Sequence, residues 1–126
     1  PDLPRRLQTG AELSDPDPKT IYGGEHKNKY LLETTGCGVA FYDYDNDGWV
    51  DLFVLSGTRL EGAPPGTTNR LYKNNRDGTF TDVSDASGVG KPESKGMGVV
   101  LADFNNDGWT DIAIANDSWP NFLSRT

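Results

Sequence analysis

The stretch GVAFYDYDNDGWVDLFVLSG, Gly38 to Gly57, decides how this chain folds. It returns 60 residues later, at Gly98 to Asp117, as GVVLADFNNDGWTDIAIAND. Each copy is an apolar run, a short loop dense in Asp, Asn and Gly, and a second apolar run. Short apolar runs bounded by turn residues read as strands. The loop between them reads as a cation cage joining two strands, because its acids recur at alternate positions.

Working outward, Gly38 to Tyr42 (GVAFY) is expected to form a strand buried on both faces, with Leu52 to Leu55 (LFVL) as its antiparallel partner. GTRLEGAPPGTT, Gly57 to Thr68, is irregular by its Gly, Pro and Thr content. Asn69 to Asn74 (NRLYKN) alternates and reads as a third strand. Asn75-Arg76-Asp77-Gly78 then gives a tight hairpin, since Asp-Gly tolerates the positive φ of such turns. Thr79 to Val83 (TFTDV) is a fourth, half-exposed strand. The unit is a four-stranded antiparallel meander, and Ser84 to Lys95 leads to the next.

In the second unit Val99 to Ala102 and Ile112 to Ala115 repeat strands one and two. Asn121-Phe122-Leu123 repeats Asn69-Arg70-Leu71 at an offset of 52, so the connecting loop is eight residues shorter. The sequence stops at Thr126, within the expected third strand. A four-stranded sheet repeated at this period suggests β-propeller blades, each of which buries its faces against its neighbours. The expected organisation is therefore an irregular lead-in over residues 1–29, a first blade with its connection over 30–95, and a truncated second blade over 96–126. Two blades cannot close a ring, so the expectation is a fragment of a longer chain. The chain starts at Pro1 and not Met, so its start is not expected to be the translated start.

The lead-in contains Asp15-Pro16-Asp17-Pro18, which suits neither a helix nor a central strand. His26, the one histidine, sits in the polar GGEHKNKY with nothing beside it to complete a catalytic constellation, and reads as solvated. Cys37 is the one cysteine and reads as a small buried hydrophobe; no intramolecular disulfide or zinc spacing exists. The net charge of −7 and pI near 4.5 argue against nucleic acid and against anionic membrane surfaces. No apolar stretch is long enough to span a bilayer.

Much of that negative charge lies in the two loops. With Asp43 as position 1, Asp45 is position 3, Asp47 position 5, Gly48 position 6, Trp49 position 7 and Asp51 position 9. The second loop reads Asp103, Asn105, Asp107, Gly108, Trp109 and Asp111 at the same positions. Calcium takes six or more hard oxygen ligands, roughly, in flexible geometry. Carboxylates at positions 1, 3 and 5 can turn toward one point, Gly at 6 permits the bend, and the carbonyls of Trp49 and Trp109 can add an oxygen. Asp at 9 closes the cage. The first half matches the helix–loop–helix calcium pattern D-x-[DN]-x-[DN]-G, but Val54 and Ile114 replace its Glu at position 12. Magnesium prefers a strict octahedron with retained water, and zinc would want His or Cys.

Asp, Asn and Gly also make good turns with no ion at all. Two copies at equal offset, both closing with Asp, favour the two-site calcium reading. Four carboxylates within nine residues would moreover repel one another without a cation. Asn105 makes the second loop less negative, so weaker affinity is expected there. Trp49 and Trp109 are expected to pack over their loops or against the adjacent blade, rather than to form an exposed platform. Asp77 and Asp85 read as turn or connection residues.

These residues carry a family resemblance. The two units resemble FG-GAP/VCBS repeats, the calcium-binding blades also found in integrin α-subunit propellers. YLLETTGCGVAFYDYDNDGWVDLFVLSG, followed by NRLYKNNRDGTFTDVSDASGV, is similar to the cartilage-acidic-protein/UnbV-like group. The resemblance covers about Tyr30 to Leu123. It implies a propeller of roughly seven blades, secreted, periplasmic or at the cell surface. It also implies that Asp43, Asp45, Asp47 and Asp51 form one calcium loop and Asp103, Asn105, Asp107 and Asp111 the other. Two departures stand out: Cys37 occupies a position where a small residue such as Gly would be expected, and the end of blade two is missing, which leaves the blade count open.

The leading expectation is a non-catalytic, calcium-stabilised extracellular module for adhesion, recognition or assembly, with a protein or glycan partner at the cell surface. One alternative is the propeller part of a secreted enzyme or redox protein whose active site lies outside this chain. Another is a self-assembling filament or sheath subunit.

Overall fold

The computed structural model of the chain describes residues 36–57, 64–65, 67–90, 95–117 and 120–124, with the single positions Ile21, Gly23, Lys27 and Tyr30. Nearly all of the lead-in, including His26 and Asp15 to Pro18, lies outside the described residues, as does most of the irregular stretch after Gly57.

The described residues form seven strands and no helix. β1 (Gly38–Tyr42), β2 (Asp51–Leu55), β3 (Arg70–Asn74) and β4 (Phe80–Asp82) pair in that order as an antiparallel meander. β5 (Gly96–Ala102), β6 (Asp111–Asn116) and β7 (Phe122–Ser124) form a second antiparallel sheet. The registers coincide. Tyr42 faces Asp51 and Gly38 faces Leu55; Ala102 faces Asp111 and Gly98 faces Ala115. Each loop therefore enters and leaves its strands at the same height, and this is the repeat seen in the sequence. β5 starts earlier than the apolar run suggests, with a register shift between Gly96 and Gly98.

The core lies between the two sheets. Phe53, Leu55 and Leu71 of the first meet Ile112 and Ile114 of the second, with Tyr42 and Val89 at the edge. Each such side chain, fully buried, contributes about 1.5–3 kcal/mol relative to exposure. The period-2 alternation places them: Asp51, Phe53 and Leu55 are buried while Leu52 and Val54 between them are half-buried.

β1 does not behave as its composition suggests. Val39 and Phe41 are 57% and 67% exposed, and Tyr42 alone is buried. The strand lies at the edge of its sheet, and only its Ala40 and Tyr42 side faces the core. Burial on both faces requires a second layer, which a run of apolar residues cannot by itself supply.

The hairpin after β3 also differs in detail. Positive φ falls on Arg76 (69°) and Gly78 (90°), not on Asp77. Asp77 Oδ1 instead accepts from the Thr79 N–H (2.9 Å) and hydroxyl (2.6 Å), which fixes the turn from within. Cys37 is half-buried rather than buried, with a φ of 66° that favours Gly. No helix among the described residues is long and apolar enough to cross a membrane.

Candidate metal centre

The first loop is curled by its own acids. Asp43 Oδ1 accepts from the Asp47 N–H (3.0 Å) and Asp43 Oδ2 from the Gly48 N–H (2.8 Å). Asp47 Oδ1 accepts from the Trp49 N–H (2.9 Å). Gly48 at φ 85° and Asn46 at φ 53° make the bends. Gly at position 6 was legible from the pattern; the left-handed Asn at position 4 was not singled out, although Asn is the side chain that best tolerates this conformation.

Asp51 ties the loop to the sheet. It is fully buried, and both its oxygens accept backbone N–H groups, from Tyr44 (3.0 Å) and Asn74 (2.7 Å). Burial pushes its carboxyl pKa up, against the lowering effect of these two bonds. Burial also raises the Tyr42 phenol, aided by the negative Asp51 alongside.

Asp43, Asp45 and Asp51 each bring one carboxylate oxygen within 4.8 Å of the others. Asp45 Oδ1 is buried and has no hydrogen-bond partner among the described residues. Asp47 stands apart from this trio. Its Oδ2 meets Arg76 Nη2 at 2.9 Å and Lys73 Nζ at 3.4 Å, and the Arg76 bond holds its carboxyl below the ordinary value. Lys73 Nζ also donates to Asp45 Oδ2, which raises the lysine pKa. Neither basic residue was singled out in the sequence.

The second loop repeats the backbone geometry. Asp103 accepts from the Asp107 (3.1 Å) and Gly108 (2.8 Å) N–H groups, the latter lowering its pKa most. Asp107 Oδ1 accepts from the Trp109 N–H (2.9 Å), and Asp111 Oδ2 from the Phe104 N–H (3.0 Å). Asn106 and Gly108 hold φ values of 60° and 91°. Asn105 Nδ2 donates to Asp107 Oδ2 at 2.7 Å, so the neutral residue at position 3 turns toward position 5. No acidic trio gathers here among the described residues. Asp111 Oδ1 is buried without a partner among them, where Asp51 Oδ1 has the Asn74 N–H.

The loops touch each other: Asn46 Nδ2 donates to the Gly108 carbonyl at 3.2 Å. Trp109 lines a cavity of about 310 Å³ with Tyr44 and Asp45 of the first loop and Val89 and Ile112 of the core. Trp49 and Trp109 are nevertheless both exposed, at 46% and 42%, so the expected packing is partial for Trp109 and is not seen for Trp49 among the described residues.

Residues 43–114, from the first acid of loop one into the strand after loop two, match the model of the FG-GAP-like repeat. The chain belongs to the FG-GAP-like repeat family. Such repeats form β-propeller blades, and the two sheets are one complete four-stranded blade and three strands of the next, not closed into a ring. Among similar proteins, cartilage acidic protein 1 of Xenopus tropicalis is 38% identical over 96 residues, covering 76% of this chain and 13% of that protein. Cartilage acidic protein 1 of Mus musculus is 46% identical over 90 residues, 71% of this chain and 13% of its own. Integrin alpha-7 of Mus musculus is 34% identical over 100 residues, 77% and 8% respectively. The chain thus spans a small part of the length of the relatives it matches.

The residues of the first FG-GAP-like loop fit a hard divalent cation. The donor set is all oxygen, three carboxylates converge, and one buried oxygen is left over for a ligand. The second loop offers three acids, Asp103, Asp107 and Asp111, and the Asn105 amide at position 3.

Proposed function

We propose that this chain is part of a calcium-stabilised, non-catalytic β-propeller that works outside the cell in adhesion, recognition or assembly, with a protein or glycan partner. The convergence of Asp43, Asp45 and Asp51 at the mouth of β1 and β2 carries the calcium part of the reading. Asp43, Asp45, Asp47, Asp51 and the Trp49 carbonyl are the ligand set proposed for one site. Asp103, Asn105, Asp107, Asp111 and the Trp109 carbonyl are proposed for the other. Bound Ca²⁺ would supply the positive charge that balances each cluster. The chain's own part is to hold the carboxylates: Asp51 and Asp111 from the first residues of β2 and β6, Asp43 and Asp103 from just past β1 and β5. An ion held by both ends of a hairpin staples its two strands. The extracellular setting is supported by the family shared with an integrin chain and cartilage acidic protein 1, and the non-catalytic reading by the same kinship.

Thermal unfolding with calcium and with EGTA tests the calcium part. The melting temperature is expected to rise with calcium and to depend on its concentration, because a ligand that binds only the native state stabilises it. An unchanged melting temperature rejects calcium stabilisation.

A further inference from the structure

We propose that Lys73 and Arg76 are a built-in counter-ion for the first loop, which a divalent cation must displace. The inference rests on the calcium reading above. Lys73 lies on β3, and its ammonium contacts both Asp45 and Asp47. Arg76, in the turn after β3, reaches Asp47 at 2.9 Å. These are placed groups. The Asn74 N–H, one residue beyond Lys73, is clamped by Asp51 Oδ1 at 2.7 Å, which sets the height of β3 against the loop. The Tyr44 ring centroid lies 6.0 Å from Lys73 Nζ.

The consequence is a matter of charge. Four carboxylates in the first loop face two cationic side chains, leaving a net of two negative charges. Counting acids alone therefore overstates the pull of this loop on a cation. Asp45 belongs both to the trio that fits a cation and to the Lys73 ion pair, so cation and ammonium would share one carboxylate and repel. Filling the first loop would then free the Lys73 and Arg76 side chains, linking cation binding to the β3–β4 hairpin.

Trp49 and Trp109 at matching loop positions make the two sites separately readable. In the full chain with Trp119→Phe as the shared background, Trp109→Phe leaves Trp49 to report the first loop, and Trp49→Phe leaves Trp109 to report the second. Calcium titration followed by fluorescence then reads the affinity of each loop separately. Lys73→Gln, and separately Arg76→Asn, which keeps a residue tolerant of positive φ, should tighten the first loop by about three- to tenfold. Neither should move the second by more than about twofold. A first loop that neither substitution tightens overturns the proposal while leaving calcium binding intact. No calcium response from either tryptophan, with none by calorimetry on the unsubstituted protein, overturns the calcium reading and this inference together.

Discussion

Asp51 does two jobs that its position in the pattern does not separate. As the ninth loop residue it is a proposed ligand. As a buried carboxylate accepting the Tyr44 and Asn74 N–H groups, it also joins loop, β2 and β3 with no ion involved. Asp→Ala here strands two backbone donors, at about 1–3 kcal/mol for each left unsatisfied. Asp51→Ala is therefore expected to lose about 2–4 kcal/mol by urea unfolding in EGTA. Asp43 serves differently, since its N–H partners at Asp47 and Gly48 belong to the exposed loop and can turn to water. Asp43→Ala should cost less in EGTA, roughly 1 kcal/mol or under. Equal losses for the two variants would mean that Asp51 acts as one loop acid among several.

At the scale of the hairpin, the legible features are those set by near neighbours in sequence. Gly48 and Gly108 had to be left-handed for the loop to curl, and both are. The second strand of each pair begins at the closing Asp, one residue before the apolar run. What escaped the sequence depends on distant partners. Lys73 meets Asp45 across 28 residues, and only the β2–β3 register, with Leu52 opposite Tyr72, brings it there. The exposure of Val39 and Phe41 likewise depends on which layer covers β1, not on β1. The hairpin's acids also set its response to pH. Asp47, held down chiefly by Arg76, and Asp77 and Asp103, held down by hydrogen bonds, have folded-state values below the ordinary 3.8. Their contribution is full above that value and lost as pH falls through the lowered ones. Asp51, raised by burial, has the opposite sign: its contribution is full below 3.8 and lost as pH rises through its raised value. Asp82 on β4 is lowered too, its burial being outweighed by the bonds from Ser84 and the Arg70 charge, so four lowered groups against one raised predict a net loss of stability on acidification below about pH 4 in EGTA. Melting temperatures that climb as the pH drops would mean that Asp51 outweighs the rest.

At the scale of the whole chain, the question is what makes two sheets one body. The Asn46–Gly108 bond is exposed and contributes little. The apolar contact between the sheets is the stronger candidate, and it turns on a glycine. A Cβ on Gly96 would lie 2.4 Å from both Cγ and Cδ1 of Leu55 and 2.8 Å from Cδ2. Leu55 is 1% exposed and lies in the shared core, so it has little room to withdraw. The Gly96 N–H also reaches the Ser56 carbonyl at 3.4 Å, a backbone link between the sheets that a displaced strand would break. Gly96→Ala is thus an overpacking change, expected to cost about 1–3 kcal/mol. Gly98, two residues along β5, is the control: a Cβ there meets nothing within 4 Å, and Gly98→Ala should be neutral or slightly stabilising. If the sheets unfold as one unit, Gly96→Ala lowers a single transition measured by any probe, including the fluorescence of Trp49 kept as the sole tryptophan by Trp109→Phe and Trp119→Phe. If it lowers the signal from Trp109 kept as the sole tryptophan and leaves that from a sole Trp49 in place, the blades are separate cooperative units. Stacked repeats couple only through their interfaces, so that result would put the stability of the first blade within its own four strands.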